Sequence, residues 1–194
     1  MKIFFAVLLF VTNVKTFGQD NTLISWNDAP PLSWNDFSGK VNDTSKYDAE
    51  CFAEIRYQYR LYEFGKFEFD VYAHFDKDIS WSRKEKQSEA LLKHEQMHFN
   101  IAQLFAKKLQ SDFNTCSFTE KYEEQIQDLF AKTKQEYQAM QMRYDEETNH
   151  SLNKEKQKEW EVLIDYELAK SKLSLQLVQI ELAQNTQKDI ERGK

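Results

Sequence analysis

His94-Glu95-Gln96-Met97-His98 is the run of this sequence whose residue types and spacing most directly imply chemistry. On a helix, two imidazoles four residues apart lie one turn apart on one face and can grip the same Zn²⁺. The glutamate between them can then take a proton from a water that the metal activates. The chain has only four histidines, His74, His94, His98 and His150, so chance is a poor explanation for two of them falling at this spacing around a glutamate. The bland alternative is a solvated helix face that carries two histidines and does nothing.

Two histidines do not complete a catalytic zinc site, which needs a third protein ligand and a position left to water. Downstream, the candidates are His150 and the carboxylates of the next helical stretch, chiefly Glu120, Glu123 and Glu124. His150 closes the phrase Tyr144-Asp145-Glu146-Glu147-Thr148-Asn149-His150, where the helical pattern breaks and an imidazole could turn back toward the first helix. Asp145 could accept the second imidazole proton of a ligand and fix its tautomer. Tyr144 could donate a hydrogen bond to an oxyanion as it forms. His74 projects from the polar face of a strand beside Asp70 and Tyr72 and is not read as a ligand.

Several phrases resemble a bacterial family of predicted secreted zinc-dependent proteases, long catalogued as a domain of unknown function. They are Pro31-Leu32-Ser33-Trp34-Asn35-Asp36-Phe37-Ser38-Gly39, Ile79-Ser80-Trp81-Ser82, His94-Glu95-Gln96-Met97-His98-Phe99, and Tyr144-Asp145-x-x-Thr148-x-His150. The resemblance implies His94, His98 and His150 as zinc ligands and Glu95 as the general base, on a zincin-like fold. The glycine that usually follows the last histidine in the family is Ser151 here.

The elements that must position these residues can be read from periodicity. Residues 50–62 and 67–75 alternate, with Ala53, Ile55, Tyr57, Tyr59, Leu61 and then Phe67, Phe69, Val71, Ala73 and Phe75 on one face; the turn Glu63-Phe64-Gly65-Lys66 joins them into a hairpin. Ser82-Arg83-Lys84-Glu85 has the form of a capping box, predicting a first helix from there to about Gln110. A second helix follows residues 111–119, with Tyr122, Ile126, Leu129, Thr133, Tyr137, Met140 and Tyr144 at three- and four-residue spacing. A third begins at Lys154, and in its tail (170–194) the Leu173-Leu175-Leu177 alternation also permits a strand. Residues 20–48 are rich in turn formers around a doubled phrase, Ser25-Trp26-Asn27-Asp28 and Ser33-Trp34-Asn35-Asp36, whose tryptophans are expected to pack the segment onto the domain.

Met1-Lys2 followed by an apolar run from Ile3 to Val11 and small residues before Gly18 reads as a signal peptide over residues 1–18, leaving 19–194 as one domain that is periplasmic or secreted. Its removal takes Lys2 and Lys15 away and moves the formal net charge from −6 to −8, an acidic balance that argues against nucleic acid and against membrane insertion. Cys51 and Cys116 are the only cysteines, and in an oxidising compartment an even pair reads as a disulfide. The expectation is an α+β, zincin-like domain, a small antiparallel sheet packed on a helical half. It would bind Zn²⁺ and hydrolyse peptide bonds, with the strand near residues 67–75 as an edge that an extended peptide could join. The rival expectations are a non-catalytic zinc-binding or adhesion module and a zinc amidase acting on cell-wall material. Oligomeric state is not readable from these features.

Overall fold

The computed structural model describes residues 22–26 and 30–192, with the backbone alone for residue 64 and residues 174–192. The signal-peptide segment, 1–18, lies outside the described residues. The architecture is α+β. Five strands, β1 (Leu23–Ser25), β2 (Ala49–Glu50), β3 (Ala53–Leu61), β4 (Phe67–Asp76) and β5 (Trp81–Ser82), precede three helices, α1 (Glu89–Thr115), α2 (Tyr122–Thr148) and α3 (Lys154–Arg192).

The hairpin forms as its alternation requires. β3 and β4 pair antiparallel in a register that sets Ala53 opposite Phe75 and Leu61 opposite Phe67, so the odd-numbered residues of both strands share one face. On that face Ile55, Phe69, Val71, Ala73 and Phe75 are buried against α1. Gly65 makes the turn with φ of 73°, a left-handed conformation that glycine adopts without steric cost.

β4 is not the edge expected of residues 67–75. The sheet order is β1-β4-β3, and β1, three residues long, was too short to show a period. Beyond β1 the exposed side of β4 is closed differently. The Gln110 side chain of α1 accepts from Val71 N–H (3.0 Å) and donates to Phe69 C=O (3.1 Å), as a neighbouring strand would. The open edge belongs to β3: Phe52 C=O bonds Asp76 N–H, so odd residues of β3 turn their backbone groups away from β4, and Ala53 C=O takes the Tyr137 hydroxyl at 2.7 Å.

The doubled tryptophan phrase packs as expected, with Trp26 and Trp34 against the core and Trp26 Nε1 donating to Asn100. Gly39 ends the second copy where a side chain has no room. A Cβ there would stand 2.7 Å from Ser80 C=O, whose oxygen already accepts the Gly39 N–H at 2.8 Å.

The first helix starts later than the Ser82 pattern predicts. Ser82 lies in β5, paired with Ala49, and the cap is Ser88, whose hydroxyl accepts from Leu91 N–H. Once begun, α1 is buried almost all round, because the sheet covers one side and α2 and α3 the other. The third helix continues to Arg192, so the Leu173-Leu175-Leu177 alternation does not make a strand. Among the described residues no helix is long and apolar enough to cross a membrane.

The two cysteines are not bonded. Cys51 lies beside Glu95 near the start of α1, whereas Cys116 caps its end, 21 residues on. At 1.5 Å rise per residue that is about 30 Å, far beyond what a disulfide spans. The expected Cys51–Cys116 bridge is therefore excluded by geometry.

Candidate metal centre

The start of α1, the end of α2 with the turn after it, and the segment 46–51 line a cleft of about 580 Å³, and the start of α3 backs His94 through Gln157. α1 and α2 run antiparallel, which brings Asp145 opposite His94 and His98. Asp145 Oδ1 lies 3.1 Å from His94 Nε2 and 3.0 Å from His98 Nε2, and the two Nε2 atoms are 3.2 Å apart. His150 Nδ1 stands 3.4 Å from the same carboxylate oxygen. His94, Asp145 and His150 each offer a donor atom within 4.8 Å of the others, a group that could hold a metal ion; His98 stands outside that group but touches both His94 and Asp145.

The far sides of the first two imidazoles show which nitrogens are available. His94 Nδ1 meets Gln157 Oε1 at 3.2 Å, and His98 Nδ1 meets Gln141 Oε1 at 2.6 Å. Each glutamine's NH₂ is occupied elsewhere, on Glu161 for Gln157 and on His98 C=O for Gln141, which fixes the amide oxygens toward the rings. A carbonyl oxygen only accepts, so both Nδ1 atoms carry the proton and each Nε2 faces the common point. A tetrahedral zinc with bonds of about 2.0–2.1 Å keeps its donors about 3.3 Å apart, so the 3.0–3.2 Å triangle of two imidazoles and a carboxylate fits such an ion.

The electrostatics follow from burial and proximity. Burial opposes ionisation of Asp145, yet its hydrogen bonds with His94 and His98 hold its carboxyl well below the usual carboxylate range. Burial likewise works against a charged His98, but the bond to Asp145 and the nearby Glu95 carboxylate outweigh it and raise His98 to about 9. His94, deeper still, is pushed down by desolvation. Glu95 is 3% exposed and lines the same cleft. Burial drives its pKa up to about 7, partly countered by His98 and by the Cys51 N–H that donates to it.

His150 owes its position to backbone strain. Asn149, His150 and Ser151 all have positive φ (46°, 49° and 75°), a run that turns the chain sharply out of α2. Ser151 thus adopts a left-handed conformation that a glycine would take freely. Asn149 and His150 return their N–H groups to Asp145 C=O, while Thr148 Oγ1 bonds Tyr144 C=O. Tyr47, on a loop pinned by Arg83 through Asn42, Ser45 and Tyr47 carbonyls, packs its ring 4.4 Å from that of His150.

Three of the four sequence phrases and the helical side of the cleft fall within one segment. Residues 73–151 match the family model of DUF922, a bacterial protein family of unknown function. This is the family that the sequence phrases resemble. The DUF922 match contains all four cluster residues and Glu95 and stops short of Gln157. Comparison with curated proteins and with solved structures gave no match.

Other expected residues fall differently. Tyr144 is fully buried, its ring stacked 4.7 Å from His94 and its hydroxyl donating to Gln157 Oε1 at 2.8 Å. Glutamines accept the Nδ1 protons of His94 and His98, and Asp145 meets their Nε2 atoms at the convergence point itself. Glu120, Glu123 and Glu124 lie at the opposite end of α2; from Glu123 to Asp145 is 22 residues of helix, about 33 Å. His74 stays on the outer face of the sheet, half-buried and stacked on Tyr72. Gln141 and Gln157 carry no motif of their own; the spacing Gln141-x-x-x-Asp145, one turn on the Asp145 face, is the only local hint of either.

Proposed function

We propose that this chain is an exported zinc-dependent peptidase of zincin-like architecture, with the metal held by His94, His98 and Asp145, His150 beside them, and Glu95 as general base. The observation that supports it is the convergence of imidazole and carboxylate donors in a cleft that also holds a buried carboxylate with pKa about 7. Zinc, when bound, would polarise a carbonyl and acidify a water. The protein's own residues do the rest. Glu95, balanced near neutrality, accepts a proton from the attacking water and returns it to the departing amine, with Cys51 N–H fixing the carboxylate. Gln141 and Gln157 hold the imidazoles in one tautomer, and Tyr144 acts through Gln157 as a positioning residue rather than as an oxyanion donor. The phenol that lines the cleft is that of Tyr47. An extended peptide would add to the open edge of β3, next to Cys51, where a groove of about 580 Å³ runs between β3 and α2.

One observation favours a second reading. His94, Asp145 and His150 form one donor group and His98 lies 3.0 Å from the Asp145 oxygen, so a small movement of either outer imidazole would bring four donors together, close a tetrahedral site and leave no position for water, as in a non-catalytic zinc module. Glu95→Gln separates the two. The peptidase reading expects one zinc per chain to be retained while cleavage of a quenched casein falls by about 10²–10⁴-fold. A wild-type protein that binds zinc but leaves the casein uncut at the same rate as the variant would favour the closed site, and loss of zinc in Glu95→Gln would overturn the assignment of Glu95.

A further inference from the structure

α3 has two apolar stripes, and the protein body covers only one. Trp160, Ile164 and Leu168 are buried against α1 and α2. Val162, Tyr166 and Leu173 are 65%, 62% and 58% exposed, and Ala169 between them is exposed as well. At 100° per residue the second set lies roughly 170° round the helix from the first. A helix with apolar residues on opposite faces is stable when both faces are covered, so the bare stripe calls for an occupant.

The spacing specifies what kind. Positions 162, 166, 169 and 173 recur at four, three and four residues, the seam of a two-stranded coiled coil, and the next positions of that period on the 39-residue helix are Gln176 and Ile180. The flanks carry both signs of charge. Asp165 precedes the Tyr166 seam position, and Lys170 follows the Ala169 position. In a parallel pair the residue before one seam position faces the residue five places further on in the partner helix, so Asp165 would face Lys170 of a second copy, twice by symmetry. A uniformly acidic or basic partner would meet one favourable and one unfavourable flank, whereas this helix complements itself.

We propose that the bare face of α3 pairs with the same face of a second copy of this chain in a parallel two-stranded coiled coil, carrying the two clefts on the outside of the dimer. The proposal is independent of what the cleft does.

Sedimentation equilibrium of the purified full chain tests it. The expected result is a dimer whose dissociation constant rises by more than about a hundredfold in the Val162→Glu/Tyr166→Glu variant, with helicity by circular dichroism unchanged. Asp165→Lys alone should weaken the dimer, and adding Lys170→Asp should restore it. A wild-type monomer at every concentration would overturn the proposal, as would a dimer indifferent to Val162→Glu/Tyr166→Glu. A charge reversal that the second substitution does not rescue would overturn the parallel register.

Discussion

Where α1 begins it lies among imidazoles, carboxylates and amides; where it ends, Phe113 stacks on Phe69 with ring centroids 4.3 Å apart, and Phe118, Phe67 and Tyr122 close around them. The same helices build both ends. At the cleft end burial and mutual contact hold the Asp145 carboxyl well below its usual range and raise His98 to about 9 and Glu95 to about 7, and their partners come from far away in sequence. At the aromatic end nothing needs to be charged and contact area is the main source of stability. One end of the layer thus gathers groups that could hold a metal ion, and the other keeps the helices in the register which that arrangement demands.

That contrast is open to direct challenge. The largest effect should come from Asp145→Asn, which removes the carboxylate charge that meets both Nε2 atoms. Zinc affinity by competition with a chelator should fall by more than the ~10–100-fold typical of groups that merely orient ligands. The pH profile sharpens this. In the metal-free protein His98 keeps a proton up to about pH 9, and zinc needs the neutral ring. Wild-type affinity should therefore climb by about tenfold per pH unit as far as about pH 9 and then level off, whereas in Asp145→Asn, with His98 no longer held protonated, the climb should end at lower pH. A profile unchanged by the substitution would place Asp145 outside the site.

Phe113→Ala tests the other end. Its side chain is 2% exposed, and its loss should cost about 3–5 kcal/mol in urea denaturation. Zinc bound per chain should stay the same below the transition. If zinc affinity fell in proportion to stability, the two ends would not be separable.

Ser151→Gly should have the smallest effect. With φ of 75° the serine is strained, and glycine should stabilise the metal-free protein by about 0.5–1 kcal/mol. A loss of stability would show that the Ser151 side chain, and not the backbone alone, holds the turn.

What could be read from the sequence follows the range of the forces involved. The hairpin and the packed face of the second helix were legible because a two- or 3.6-residue period reports burial locally, and His94, Glu95 and His98 because one turn of helix brings them together. Helix starts were less so: Ser82-x-x-Glu85 and Ser88-x-x-Leu91 compete for the cap, and pairing of Ser82 with Ala49 across the β2–β5 ladder decides it. Gln157 could not be found, since it reaches His94 only through a third helix 63 residues away. Asp145 was found but given the wrong geometry, because a motif names residues without saying which atom faces inward. The cysteine pairing failed for the same reason: an even count says nothing about 30 Å of intervening helix.

The Gln110 amide on Val71 and Phe69 has a consequence for the protein in a crowd. A bare strand edge is a template on which other chains can assemble, and Phe67–Phe75 carries an aromatic-rich face that would accompany such an edge. By imitating one peptide unit of a neighbouring strand from within its own helix, Gln110 ends the sheet there. A chain that has docked α1 no longer offers β4 to anything else, so Gln110→Ala should leave the native protein folded yet make it prone to fibrillar self-association while refolding at high concentration.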